Sequence, residues 1–507
     1  MNYIIFSLIL LNLSLNLLKH YHILQLNYYD NLTQLRWLGK NHKKLASQKL
    51  LLIWMVINLF WPNQLMQGIL IGLLVLILLA NLPLTQAKKP LKFTKRLLEM
   101  LALNIVIVGT IGWLAIDSLM IIVVIYIVAP LWPIIVNLLS LPLELFFKWR
   151  LVNSAKKILK SHDKLITIGI TGSFGKTSMK HYLGAILPAK FSTLVTPESF
   201  NTPLGIATTI KQKLRATHEI FVCEMGASHK HDIKELCDIV EPTHGVITAL
   251  GMQHLETFGS FDNIIQTKFE LATAVKNKGL LLLNGDNQPI TENLPKDQPY
   301  LTYGLKKTND CHAFNLKLSN SGTIFSLSFK GKKYDNLQTR LIGEHSIVNL
   351  AGAIALSLEL GLSIEQIKRQ ISKLTPPPHR LELKKFGNDL LIDDGYNSNP
   401  DGCEAALKTL SLFDGLKVVI TPGMVELGPE QNRLNSEFGE KIARTCDFAI
   451  LVGAKQTKPI YDGLIKRNYD PKKIFVVDSF KKALAKLPFL PRQPKVILIE
   501  NDLPDNY

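Results

Sequence analysis

The sequence predicts an α-helical transmembrane region followed by α/β structure in two domains. Three observations predict it. Long apolar runs crowd into the first 150 residues and are rare afterwards, which lifts the mean hydropathy of the whole chain to +0.15. From Lys164 to about Thr375, short β-branched runs alternate with helical patterns, as in a parallel sheet with crossover helices. Beyond the stiff hinge Pro376-Pro377-Pro378, strand-like runs at Leu390–Ile392, Val418–Ile420, Phe448–Val452, Ile474–Val477 and Val496–Ile499 predict a Rossmann-like C-terminal domain. The domains are accordingly placed at 1–150, 155–375 and 376–507, the middle one with a small β insertion around Cys311–Leu341.

In the first region, Ile4–Leu18 follows no basic residue and lacks a small-x-small cleavage site, so it reads as a retained anchor rather than a cleaved signal. Leu50–Trp61 and Leu65–Leu84 flank Pro62-Asn63-Gln64, and Leu97–Ile116 and Leu119–Leu139 flank Asp117. Leu50–Trp61 is short for a crossing of about 20 residues, so a tilted or re-entrant segment is the alternative there. The chain carries a net charge of +17, and residues 1–160 supply +12 of it from 16 Lys and Arg against 4 Asp and Glu. Apart from Lys19 these cations form three basic stretches, Arg36–Lys49, Lys88–Arg96 and Lys148–Lys160. Five spans with the N-terminus outside put all three on one side, the cytoplasm by the positive-inside rule. The expectation is a multi-pass protein of the cell (cytoplasmic) membrane, in contact with membrane lipid, with its catalytic domains in the cytoplasm. The same clustering argues against a nucleic-acid partner, because the excess charge belongs to loops between apolar segments. Five scattered cysteines without a C-x-x-C spacing point to neither a disulfide framework nor a zinc site.

The chemistry starts at Lys164–Ser178. Leu165, Ile166, Ile168 and Ile170 read as a buried strand that breaks at Thr171-Gly172-Ser173-Phe174-Gly175 and restarts as a helix at Lys176-Thr177-Ser178. Glycines turn backbone N–H groups inward onto phosphate oxygens, a helix N-terminus favours the anion, and Lys176 adds a point charge. Thr177 offers a hydroxyl to Mg²⁺. Ile170 stands where the longer phosphate loop has glycine, so this is the shorter G-x-x-G-K-T form. An ordinary glycine turn is the bland alternative, and the apolar strand ahead of it argues for the phosphate loop of a P-loop parallel-sheet ATPase domain using ATP and Mg²⁺.

Further strand ends carry polar groups. Ile220–Cys223 ends in Glu224, a carboxylate placed to hold Mg²⁺ beside the loop. Val246–Leu250 leads into Gly251–Gly259 with His254, although a lone histidine is more often packing or a solvated turn. Lys268 lies on a helix where solvated charge is the ordinary reading, and Thr196–Gly205 could be a plain surface loop.

Together these stretches change that balance. GITGSFGKTS, SFNTPLG, EMGA, HLETFGS, TKFE, LNGD, GEHSIVNLAGA, PPPHRLE, IDDGYNSNPDG and GMVELG occur in order over roughly residues 160–455. The series resembles the Mur ligase family, and within it the D-alanyl-D-alanine-adding branch. The resemblance implies an ATP-dependent amide-bond ligase of peptidoglycan biosynthesis that activates a substrate carboxylate as an acyl phosphate for attack by an amine. It implies that Gly172, Ser173, Gly175, Lys176, Thr177 and Ser178 cradle the phosphates, that Asn349 and Arg380 also bind the nucleotide with His345 nearby, and that Asp394 lies at the ribose or hinge. It further implies two Mg²⁺ ions held through Thr177, Glu224, His254 and Lys268, the last as a carbamate. Lys176, Lys268 and His254 would be the catalytic residues. Asn201 and Thr202 would face the acceptor, a UDP-linked or lipid-linked peptidoglycan precursor. Tyr396, Asn397, Asn399 and Glu426 would face the incoming amino acid or dipeptide.

Three departures qualify the resemblance. Ser346 and Gly395 replace the family's usual Asn and Ser, and the C-terminal ILIENDLPDNY lacks the branch's Lys-Gly-Ser-Arg ending. The apolar spans also stand where the family carries its UDP-binding domain, so a lipid-linked acceptor at the membrane face, beside a cell-wall synthesis complex, enters the expectation. Other Mur-like amide synthases, such as a poly-γ-glutamate synthase or an enzyme amidating a lipid precursor, are the enzymatic alternatives. A non-catalytic membrane scaffold is the alternative outside enzymes, and the intact Lys176, Thr177, Glu224, His254 and Lys268 speak against it.

Overall fold

Strands β1 (Ile166–Thr171), β3 (Ile220–Glu224), β4 (His244–Ile247) and β5 (Leu281–Asn284) are buried on both faces, as strands covered by helices on each side must be. In the computed structural model, which describes residues 3–27, 29–40, 64–81, 91–114, 128–395, 399–425 and 427–501, they are the middle of a sheet. Its order is β2-β3-β1-β4-β5-β6-β7-β8-β9, with β2 at Thr193–Val195, β6 at Leu301–Gly304, β7 at Cys311–Ser319, β8 at Gly322–Phe329 and β9 at Lys332–Thr339. Neighbours from β2 to β7 run parallel, and β7-β8-β9 extend the edge as an antiparallel meander.

The period of two sorts the side chains. Ile168, Ile170, Val222, Val246 and Leu282 point into one apolar layer with α6 (Lys176–Ile186), α11 (Glu344–Glu359) and α12 (Ile364–Ile371). Phe221, Cys223, Ile247, Leu281 and Leu283 point the other way, against α7 (Pro203–Lys213), α8 (Asp232–Val240) and α10 (Phe261–Val275); the four-residue α9 (Leu255–Phe258) precedes α10. Each fully buried side chain of this size contributes about 1.5–3 kcal/mol relative to exposure, which fixes both layers and the register of the strand ends.

A second sheet has the order β10-β11-β15-β12-β13-β14: β10 (Glu382–Phe386), β11 (Asp389–Asp394), β12 (Leu416–Thr421), β13 (Phe448–Val452), β14 (Ile474–Val477) and β15 (Lys495–Glu500). Only the β10–β11 pair is antiparallel. The helices α13 (Pro400–Leu410), α14 (Gln431–Thr445) and α15 (Lys458–Lys466) pack against it. Both sheets lie in one compact unit, Trp149–Leu503.

The described residues of the other unit, Met1–Lys148, form the helices α1 (Tyr3–Leu26), α2 (Asn31–Lys40), α3 (Gln64–Asn81), α4 (Lys95–Leu114) and the first part of α5 (Trp132–Lys160). It corrects the expected transmembrane region: among the described residues no helix is long and apolar enough to cross a membrane. The expected multi-pass localisation in the cell membrane loses its support with it. Over the described residues α3 covers 18 positions and begins and ends on the polar Gln64 and Asn81. The apolar run of α1 is broken by Asn12, Asn16, Lys19 and His20, α4 opens with Lys95, Arg96 and Glu99, and α5 contains Pro142, Glu144, Lys148 and Arg150. Polar contacts also join these helices: Asn12 Nδ2 donates to Leu74 O at 2.9 Å, and Arg96 pairs with Glu144 at 2.7 Å. The expected span Leu50–Trp61, and residues 119–127 of the expected span Leu119–Leu139, lie outside the described residues.

Candidate active site

The C-terminal end of β1 lies between those of β3 and β4, and the loop that follows it turns back over the sheet. Gly172 has φ +148°, and a Cβ there would come within 2.2 Å of Thr248 Oγ1. Gly175 has φ +84° in the left-handed region, and its Cβ would press on the Asn349 amide at 3.0 Å. Both positions therefore require glycine. Ser173 N donates to Ala249 O at 2.6 Å and Ser173 Oγ to Gly251 O at 3.0 Å, so the segment after β4 holds the loop from behind. Lys176 opens α6 and curls back, its Nζ donating to Gly172 O at 2.6 Å and Ser173 O at 2.9 Å. Burial pushes its pKa down to about 8, with Glu224 opposing that fall and Arg380 adding to it.

Glu224 ends β3 and is 2% exposed. Its Oε1 accepts from Thr177 Oγ1 at 3.3 Å and from Asn201 Nδ2 at 3.2 Å. Oε2 sits 2.9 Å from Lys180 Nζ in an ion pair off the hydrogen-bonding direction, and accepts no hydrogen bond among the described residues. A buried carboxylate oxygen left in this way, beside a threonine hydroxyl and a glycine cradle, fits a divalent cation with a polyphosphate. Thr202 caps α7 through Gly205 N.

Lys268 lies on α10, is 2% exposed, and among the described residues its ammonium makes no hydrogen bond or ion pair. Its Nζ lies 5.9 Å from the centre of the Phe258 ring. Burial, and next the charge of Lys176, hold its pKa well below the usual lysine range, against the pull of Asp232 and Glu270. His254 occupies the N-cap position of α9 with φ +53°, and its carbonyl accepts from Thr257 N and Phe258 N at 3.1 Å each.

From the second sheet, the segment before β10 reaches the same place. His379 and Leu381, at φ +58° and +49°, bracket Arg380 in a conformation that costs a leucine energy. Arg380 is close enough to depress His345, which burial first pushes down to about 4, and to oppose the rise of Asp394. Burial takes Asp394 up to about 6, while its Oδ1 accepts from Leu381 N at 3.1 Å. Asn349 Nδ2 donates to His345 O at 3.2 Å within α11. A cavity of about 410 Å³ opens at the start of α11, lined by Asp286, Gly343, His345, Asp401, Lys408 and Thr409. The Lys408–Glu344 ion pair, 2.7 Å, ties α13 to α11 at its edge.

Residues 170–357 match the Mur ligase middle domain, and residues 379–500 match the Mur ligase, glutamate ligase domain. The chain belongs to the Mur ligase family. It is similar to the UDP-N-acetylmuramoyl-tripeptide–D-alanyl-D-alanine ligases of Escherichia coli, 30% identical over 297 residues, and Bacillus subtilis, 32% over 302. Those matches cover 58% and 59% of this chain, and the chain spans 65% of the length of each relative. Among solved structures it is similar to MurF from Acinetobacter baumannii, with TM-score 0.64 and 26% identity over 70% of this chain and 77% of that one. The MurF ligase from Thermotoga maritima in complex with ADP shares the fold, with TM-score 0.63 and 24% identity over 70% of this chain and 80% of that one.

In this Mur ligase the fold brings Gly172, Ser173, Gly175, Lys176, Thr177, Glu224 and Asn201 together by direct contact, with Asn349 against Gly175. Ser178 is linked to the buried Tyr182 hydroxyl, which also meets Ser346, the residue standing where the family usually has Asn. Asn399 is spent as the N-cap of α13, its Oδ1 accepting from Gly402 N at 2.9 Å. Tyr396, Asn397 and Glu426 lie outside the described residues. Lys180 was absent from the sequence-based set. Its signal was present, since a residue four after Lys176 and three after Thr177 shares their helix face.

Proposed function

We propose that this Mur ligase is an ATP-dependent ligase that joins D-alanyl-D-alanine, or a closely related amine, to the peptide carboxylate of a UDP-muramoyl-tripeptide. The observation that carries the reading is the buried Glu224, held at the mouth of the phosphate loop by Thr177 and by Asn201. It joins the nucleotide end of the site to the Thr196–Gly205 loop, on the acceptor side. ATP's phosphates would lie on the N–H groups of the Gly172–Gly175 loop and the start of α6, and Lys176 would exchange its two loop carbonyls for phosphate oxygens. The cavity beside His345 supports a place for the base and ribose, since α11 leads from it to Asn349 at the loop. Arg380, held by its strained neighbours, would meet the phosphates from the C-terminal domain.

In the reaction the acceptor carboxylate oxygen attacks the γ-phosphorus and ADP leaves. The amine nitrogen then attacks the carbonyl carbon of the acyl phosphate, and inorganic phosphate leaves as the nitrogen loses a proton. Thr177, Glu224 and His254 would hold magnesium, which would supply charge neutralisation when bound. Lys268 fits carbamylation, because a buried amine with no hydrogen bond or ion pair among the described residues, and with a depressed pKa, offers a neutral nucleophile to CO₂. The lipid-linked acceptor rested on the membrane spans and is set aside with them. The test offers UDP-muramoyl-tripeptide, D-alanyl-D-alanine and MgATP to the purified chain. Phosphate release that needs both substrates, with a product of the summed mass less water, is expected. Phosphate release without the amide product would overturn the reading.

A further inference from the structure

Lys180 takes no part in the chemistry above, yet it is an enclosed cation beside Glu224, 6% exposed on the inner face of α6. Its ammonium makes two contacts of different kinds. It lies 2.9 Å from Glu224 Oε2, and it donates to the backbone carbonyl of Glu198 at 2.5 Å. Glu198 has φ +40°, a left-handed backbone that a non-glycine residue holds only when its surroundings enforce it. The loop bearing Glu198 is also moored to the end of β3: Thr196 Oγ1 accepts from Glu224 N at 3.0 Å, and Asn201 O accepts from Gly226 N at 2.9 Å. Lys180 ties this loop to α6.

We infer that Lys180 is a positioning residue that couples the two ends of the site, competing with the metal for Glu224 while holding the acceptor loop in its strained form through Glu198. The inference rests on the proposed roles of Glu224 and of the Thr196–Gly205 loop. A positive charge at hydrogen-bonding distance from a carboxylate lowers that carboxylate's attraction for a cation, so loss of Lys180 should tighten the metal. Loss of the same residue releases Glu198 O, so the loop should relax and the acceptor should bind more weakly. A structural lesion does not produce two opposite shifts.

The experiment titrates Mn²⁺ into the full chain saturated with ADP, read by electron paramagnetic resonance, and separately measures KM for UDP-muramoyl-tripeptide. In Lys180→Met, Mn²⁺ should bind about three- to tenfold tighter, while the acceptor KM rises about tenfold or more. Lys180→Arg, which keeps the charge and the donors, should return both values toward those of the unmodified chain. Should the methionine variant fail to fold, Lys180→Gln keeps a donor for Glu198 O without the charge and should still tighten Mn²⁺. Unchanged Mn²⁺ affinity, or both affinities weakening in parallel without rescue by arginine, overturns the inference. Glu224→Gln separates it from its premise: loss of Mn²⁺ binding there supports the metal role of Glu224, and unaltered binding overturns that role and the Lys180 inference together.

Discussion

Replacing Lys268 by methionine should make the protein more stable and inactive at once. Methionine keeps most of the stem volume inside α10 and deletes an amine that has no hydrogen-bond partner among the described residues. Burying an ammonium that makes no ion pair costs about 1–3 kcal/mol, and the variant should recover that amount in CO₂-depleted buffer. The melting temperature should rise by roughly 2–8 °C. The pH dependence has a definite sign. The folded state holds the Lys268 proton less tightly than the unfolded state, whose lysine keeps the ordinary value of 10.5. Between the depressed value and 10.5 the unfolded chain carries the extra proton, so stability contributed here rises with pH across that window. The methionine variant should lack that slope. Carbamylation joins the amine nitrogen to the carbon of CO₂ and releases a proton, so bicarbonate should stabilise the unmodified chain and leave the variant unaffected. Labelling with ¹³C-bicarbonate should give a carbamate resonance in the former only. Scanning calorimetry with and without bicarbonate, beside an assay of amide formation, reads all of this. Full activity in Lys268→Met, or a melting temperature that falls while the response to bicarbonate persists, would refute the reasoning.

Two further outcomes are expected. Lys176→Ala should lower turnover by ~10²-fold or more, because the transferring phosphoryl oxygens lose their nearest point charge, and near-normal phosphate release by the variant would remove the nucleotide-site assignment. Lys384→Met should raise the acid-unfolding midpoint: burial alone would raise the Asp393 carboxyl, but hydrogen bonds from Lys384 and His379 hold it below its usual value. That stabilisation is present above the unfolded value of 3.8 and lost as pH falls through the depressed one, so an acid-unfolding curve unchanged in the variant would count against the pair.

The sequence by itself determined what local physics determines. The apolar, β-branched runs at Ile166–Ile170, Ile220–Cys223 and Leu281–Leu283 lie in strands, because a fully buried strand needs no partner chemistry to be legible. The C-terminal runs from Leu390 to Ile499 fall on β11 to β15 for the same reason. Gly172 and Gly175 mark the phosphate loop, since only glycine fits their backbone and their neighbours. Hydropathy misled where it ignored length and interruption. The N-terminal runs looked long enough to span a bilayer, but among the described residues no helix is long and apolar enough to cross one, and Asn12, Asn16 and Lys19 interrupt the apolar run of α1. Tertiary structure alone decided which charges are buried and who meets them. Lys268 looks like a solvated helix charge in a linear reading, yet packing of α10 against the sheet encloses it, as packing of α6 encloses Lys180. The Lys180 contact spans 44 residues to Glu224, and Arg380 reaches the Lys176 region from beyond a triple proline. Such pairings depend on strand order, and a one-dimensional pattern carries the period of each strand but not the neighbour beside which it folds.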